Sequence, residues 1–333
     1  MSTKLIVKGA ISMINTEIKP ATDTKSNISR KKIHKFLAYM RHNYILYLFL
    51  ILPIAYFIIF KYVPMYGVLI AFKDYNMFQG IWGSPWNNFA TFKEIFAMNE
   101  FYRAVRNTLV LNSLDLIAGF PAPIILAILL SELRNQTYKK VSQTILYLPH
   151  FLSWIVIGSL AIQLLSSQSG LVNMLLENLG FEPVNFLTEI FPWYVTYTLF
   201  GVWQSAGWNA IIYLAAIAGI NPELYEAATV DGAGRLRKIW HITLPCIKPT
   251  IIILLILNVG RITQIGFDRP YAMGNHLVTD VSDVISTFVY RVGLRSGRFS
   301  TATAVGFFQS VVGMIFLLIA NYIADKVGEQ GIW

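Results

Sequence analysis

Three polar side chains interrupt an apolar stretch near residue 260. Asn258, Arg261 and Gln264 recur at i, i+3 and i+6, a spacing that puts them on one face of a helix. An arginine fork can hold a carboxylate through two parallel hydrogen bonds, and amides can hold hydroxyls. A guanidinium inside an apolar segment is costly, so it is expected to face a cavity or a partner. Pairing with Asp115, or snorkelling to an interface, are its competing roles. A second set lies upstream in an uncharged stretch: Trp203, Gln204, Trp208, Asn209 and Tyr213. Gln204 and Trp208 are one helical turn apart, as are Asn209 and Tyr213. Amides beside aromatic rings suit a solute with hydroxyls and apolar ring faces, such as a sugar. The competing reading is polar glue between packed helices.

The segment 221–248 carries a different pattern. Asn221 can cap a helix whose first position is Pro222. Leu224, Ala227 and Ala228 then share one face, and Gly232 and Gly234 permit a sharp turn. A second helix follows with Arg235, Arg237 and Lys238 exposed, and Pro245 is expected to end it. The product is a helix–turn–helix hook that presents Glu226, Asp231 and small residues outward. A side chain at Gly232 is expected to obstruct the turn. No catalytic constellation accompanies these features. The sequence has no phosphate-cradling Gly-x-x-x-x-Gly-Lys-Ser/Thr loop and no His-Glu-x-x-His pair. The five histidines are scattered, His150 reading as a packing residue, and Cys246 is the single cysteine. No catalytic and no metal-ligating residue is therefore assigned.

These residues must be held by membrane helices. The 333-residue chain is 55% hydrophobic and 14% charged, with mean hydropathy +0.52, well below the charged content of a soluble domain. Six stretches approach the length that crosses a bilayer: roughly 44–60, 108–131 (with Asp115, Pro121 and Pro123), 141–165, 193–220, 249–267 and 302–324. The expected fold is all-α and polytopic, with a basic segment 1–43 ahead of a six-span domain 44–333. That first segment is too long for a signal-peptide n-region, so span one is expected to be retained as an anchor. Lys and Arg concentrate in 1–43, 132–140 and 221–248. By the positive-inside bias, both termini and the hook are cytoplasmic. The net charge of +9 then lies on the cytoplasmic side, where it meets anionic lipid and gives no support to nucleic-acid binding. Trp82, Trp86, Phe92 and Phe96 suit an interfacial anchor. Short amphipathic helices are expected at 170–190 (Leu171, Met174, Leu175, Leu179) and 280–296 (Val281, Val284, Ile285, Phe288, Val292).

The hook also carries a resemblance. Glu226-Ala227-Ala228, three residues, Gly232, nine residues, Ile242, one residue and Leu244-Pro245 resembles the EAA loop of ABC-importer permeases. Tyr62-Val63-Pro64-Met65-Tyr66-Gly67, Ala71-Phe72-Lys73-Asp74-Tyr75-Asn76, Phe120-Pro121-Ala122-Pro123 and the terminal Gly331-Ile332-Trp333 are similar to the carbohydrate-uptake branch. Within that branch the chain is most similar to permeases for complex, often acidic oligosaccharides such as alginate or pectin fragments. The resemblance implies the type I importer architecture in a bacterial cytoplasmic membrane and transport rather than catalysis. The implied partners are a second homologous permease, two ATPase subunits that bind ATP and Mg, and an extracytoplasmic solute-binding protein. It also implies that Glu226, Ala227, Ala228, Asp231, Gly232, Gly234, Ile242, Leu244 and Pro245 couple to the ATPase. An ion-coupled secondary transporter, or a permease for a non-sugar solute, is the competing reading.

Overall fold

A computed structural model describes Tyr39 and residues 42–326. The basic N-terminal stretch and Gly331-Ile332-Trp333 fall outside these residues. The regular elements of the described residues are all helices, apart from one isolated bridge between Lys73 and Trp86. It divides into two units, one ending at Tyr66 and one starting at Gly67. The first unit holds α1, Tyr44–Phe57, prolonged by a π turn at Ile58–Tyr62 and by Val63–Met65. Its surface is apolar on every side, and no residue of α1 is buried, the pattern of a helix whose solvent is lipid.

The second unit contains the remaining helices. Short helices at Gly80–Gly83, Ala90–Ala97 and Thr279–Ser282 accompany α2 (Asn99–Leu114), α3 (Pro121–Ser131), α4 (Gln136–Tyr147), α5 (Trp154–Leu165), α6 (Leu171–Asn178), α7 (Ile190–Ala218), α8 (Pro222–Val230), α9 (Arg235–Lys238), α10 (Leu244–Gly260), α11 (Asp268–Met273), α12 (Ile285–Val289) and α13 (Phe299–Lys326). Four continuous stretches are long and apolar enough to cross a membrane: Tyr44–Phe72, Asn99–Ser131, Arg235–Gly260 and Phe299–Lys326. The pair α4–α5 makes a fifth if counted as one broken span. By length and composition, four or five helices therefore qualify rather than six. The 29-residue α7 has the length, but Gln204, Ser205 and Asn209 dilute its apolar residues.

Three stretches differ from the sequence reading. The stretch 141–165 is two helices meeting at 101°. Pro149 cannot donate to the helix ladder, Leu152 and Ser153 are extended, and the Ser153 hydroxyl accepts from the Val156 amide at 3.4 Å to start α5 afresh. The stretch 249–267 ends early, at Gly260, and starts early, at Arg235. Pro245 does not end the hook's second helix. It occupies the first turn of α10, where a proline amide is not needed, just after a π turn at Ile239–Thr243 that joins α9 to α10. The third difference is at 280–296. The single amphipathic helix expected there breaks at Asp283, while its apolar residues Val281, Val284, Ile285, Phe288 and Val292 all enter the core.

Close helix contacts are made at glycines. A Cβ at Gly207 would sit 2.0 Å from the Leu146 carbonyl oxygen, and one at Gly158 would sit 2.7 Å from that of Ala272. These bring α7 against α4 and α5 against α11. Gly260 similarly meets Leu317, which draws α10 onto α13. Backbone cannot swing aside as a side chain can, so Gly207→Val is expected to destabilise by about 3 kcal/mol. The checking measurement is thermal unfolding of the detergent-solubilised protein against Gly306→Ala, a site with nothing within 4 Å of a new Cβ, which should unfold as wild type.

Candidate functional site

Between α2, α3, α7 and α10 lies a cavity of about 450 Å³. The helix α2 loosens into a π turn at Asp115–Gly119 before Pro121 and Pro123 restart it as α3. Pro123 of α3 and the π-turn residues Asp115 and Gly119 line the cavity. Asn209 and Tyr213 project from α7, Asn258 from α10, and Arg261, Gln264 and Arg269 from the segment that follows. Five of the eight expected pathway residues, Asn209, Tyr213, Asn258, Arg261 and Gln264, thus share one chamber. Their grouping does not come from a common helix face. Arg261 is the C-cap of α10, and the chain turns back so that the Gln264 amide donates to the Arg261 carbonyl at 2.7 Å. Asn112 fastens this turn by donating to the Ile262 carbonyl at 2.7 Å.

Three expected residues lie elsewhere. Trp208 stacks on His150, with ring centroids 4.5 Å apart and planes within 3°. Gln204 donates to the His150 carbonyl at 3.3 Å and lines a neighbouring cavity of about 280 Å³. Trp203 is half-exposed and packs edge-on to Phe200 at 6.0 Å. Trp208 and Gln204 thereby brace the bend between α4 and α5.

Asp115 does not pair with Arg261. It accepts two hydrogen bonds from Arg269, at 2.7 Å and 3.1 Å, in a fork-to-carboxylate arrangement. The Arg269 guanidinium also donates to the Tyr197 carbonyl at 2.6 Å and lies 3.7 Å from the centre of the Tyr197 ring. Gly201 makes this possible, because a Cβ there would stand 2.2 Å from the Arg269 Nη2. Sequence reasoning missed Arg269. The available signal was Asp115, an acid within a span that requires a cation. With Asp115 and Arg269 neutralising each other, the Arg261 guanidinium has no protein partner among the described residues. The chamber carries one uncompensated positive charge.

The hook forms at the other end of α7. The Asn221 side chain caps α8, accepting from the Glu223 amide at 3.1 Å, with Pro222 in the first turn. Tyr225 and Thr243 share a hydrogen bond of 2.9 Å, and Lys238 donates to Thr229 at 2.6 Å, tying α8 to α9. Gly232 adopts φ +74°, the left-handed region that only glycine enters freely, yet a Cβ there meets nothing within 4 Å. Backbone geometry, not crowding, is what requires glycine, and Gly234 lies in ordinary space at φ −70°. Glu226, Ala227, Asp231 and Pro245 are exposed, while Ala228, Ile242 and Leu244 are half-buried. Val230 is 88% exposed and Leu236 73%, so the hook's tip offers bare apolar surface. Among the described residues no group of three or more His, Cys, Asp or Glu could hold a metal ion.

Residues 119–329 match the family described as binding-protein-dependent transport system inner membrane component. Protein LplB of Bacillus subtilis is 46% identical over 298 residues, covering 90% of this chain and 94% of that protein. The polygalacturonan/rhamnogalacturonan transport system permease protein YteP of the same organism is 45% identical over 314 residues, covering 94% and 98%. A chain in the crystal structure of a bacterial alginate ABC transporter, in complex with an alginate pentasaccharide-bound periplasmic protein, superposes with a TM-score of 0.81. It is 40% identical and covers 89% of this chain and 99% of that one. By these likenesses the chain belongs to the binding-protein-dependent inner membrane components, and is a permease subunit of an ABC importer rather than an enzyme.

Proposed function

We propose that this permease carries an oligosaccharide containing uronic acid across the bacterial cytoplasmic membrane, inward, with its termini and hook on the cytoplasmic side. It would work beside a second permease, receive the sugar from an extracytoplasmic binding protein, and be driven by two ATPase subunits that bind ATP and Mg. The observation that carries the reading is the unpaired Arg261 in a chamber of amides and a tyrosine. Asn209 and Gln264 offer hydrogen bonds to hydroxyls, while Tyr213 is buried in the wall behind them. A carboxylate entering this chamber would meet a fork with both edges free. The relatives named for polygalacturonan and alginate transport handle acidic sugars, which agrees with that charge.

Closure of the ATPases would press on the hook. Because α9, the π turn and α10 run as one helix from Arg235 to Gly260, a displacement at the hook would arrive at Arg261 along a single rigid element. Arg261→Gln is expected to cut uptake of an acidic oligosaccharide by about tenfold while leaving a neutral oligosaccharide of equal length unaffected. Equal effects on the two, or none, would sink the carboxylate reading.

A further inference from the structure

A second cavity of about 380 Å³ lies on the opposite face of α11 from Arg269, and no part of the reading above uses it. Tyr271 follows Arg269 by two positions, so their side chains leave α11 on opposite sides. In this cavity Tyr271 and Tyr290 meet edge to face, with centroids 5.8 Å apart and planes at 75°. Phe267 supports the corner from behind, stacked on Tyr271 at 4.7 Å. The wall has three charged groups, and two of them are spent. Asp283 accepts from Arg291 at 2.6 Å and from Thr287 at 2.7 Å, and Arg291 also reaches Glu100 at 2.8 Å. The third, Arg295, has only the Tyr290 ring, at 5.8 Å, and no carboxylate partner among the described residues.

An aromatic corner beside one uncompensated guanidinium is a receptor for a flat apolar ring face bearing a carboxylate. We propose that this cavity is a second sugar subsite, outside the central chamber, that takes one uronate residue: its ring face on Tyr271 and Tyr290, its carboxylate on Arg295. This rests on the acidic-oligosaccharide reading above. With cations in both cavities, an oligomer could be held by one end while the other enters the chamber.

The test uses the full-length permease with the partners that co-purify with it, in lipid nanodiscs, without added binding protein. Trigalacturonate and its neutral methyl ester are the probes, observed by saturation-transfer NMR. In an Arg261→Gln background, which removes the central cation, trigalacturonate should still give a signal and the ester should not. Adding Tyr271→Ala and Arg295→Gln should weaken that remaining binding about tenfold. The proposal is overturned if the two added substitutions leave the signal unchanged, or if Arg261→Gln alone removes it. It is also overturned if the added substitutions instead lower affinity for a sugar-free binding protein, which would make this face a protein contact. Uptake of trigalacturonate by cells carrying the wild-type transporter separates the two readings. Uptake without binding at this cavity defeats the subsite alone, whereas absence of uptake defeats the acidic-sugar reading with it.

Discussion

Gly201→Val is expected to reduce uptake by more than tenfold while leaving the protein in the membrane. The reason is the ion pair it would break. A Cβ at position 201 would fall 2.2 Å from Nη2 and 2.4 Å from Cζ of Arg269, so the guanidinium must leave its slot. Leaving removes both bonds to Asp115 and the bond to the Tyr197 carbonyl. Asp115 would then face the chamber as an uncompensated carboxylate, at a cost of about 3 kcal/mol for a largely buried pair. The abandoned carboxylate lines the same chamber as Arg261, and would compete for it. An acidic substrate would meet a site already neutralised from within. Asp115→Asn in the Gly201→Val background removes that competing charge, so it should restore part of the uptake. Rescue by Asp115→Asn separates this mechanism from simple misfolding, which no change at 115 would repair. Wild-type uptake by Gly201→Val would show that the Arg269 slot is irrelevant to transport.

How much of this was legible beforehand depends on what each residue's neighbours announce. The first half of the hook announced itself, because capping, helix start and turn are local chemistry: Asn221, Pro222 and Gly232 each do in space what their type requires. Its second half did not, since Pro245 starts α10 instead of ending α9. The membrane class followed from hydropathy alone. Direction around a helix did not. The helix α7 is apolar with aromatics on every side, so periodicity cannot say which of Trp203, Trp208, Asn209 and Tyr213 face the chamber. The answer depends on where Gly207 lets Leu146 approach, a contact 61 positions away in sequence. The spacing of Asn258, Arg261 and Gln264 led to one chamber through an incorrect intermediate, since the helix stops at Gly260. Arg269 was hidden for the opposite reason. Asp268-Arg269-Pro270 reads as a polar loop, and only the fold carries that loop back to Asp115, 154 residues away.

Gly232→Asp is expected to abolish uptake while the chain still folds and inserts. Gly232 sits at the exposed tip of the hook at φ +74°, and a Cβ there meets open space. Aspartate is among the residues that tolerate this conformation, at a cost of about 1–2 kcal/mol, too little to unfold a helix pair held by Tyr225–Thr243 and Lys238–Thr229. The turn should therefore survive with a carboxylate at its tip, between the bare Val230 and Leu236. A charge beside an apolar docking surface must be desolvated when a partner covers it, and an unpaired charge is expensive to bury. Gly232→Asn supplies the same backbone strain without the charge. If strain were the cause, both variants would fail together; if docking is the cause, Asn should retain much of the uptake and Asp none. The direct measurement is ATPase activity of the assembled transporter in response to loaded binding protein, set beside the quantity of permease in the membrane. Stimulated hydrolysis at the wild-type level in Gly232→Asp would remove the hook from the coupling path, because the single helix from Arg235 to Gly260 would then have nothing pressing on its end.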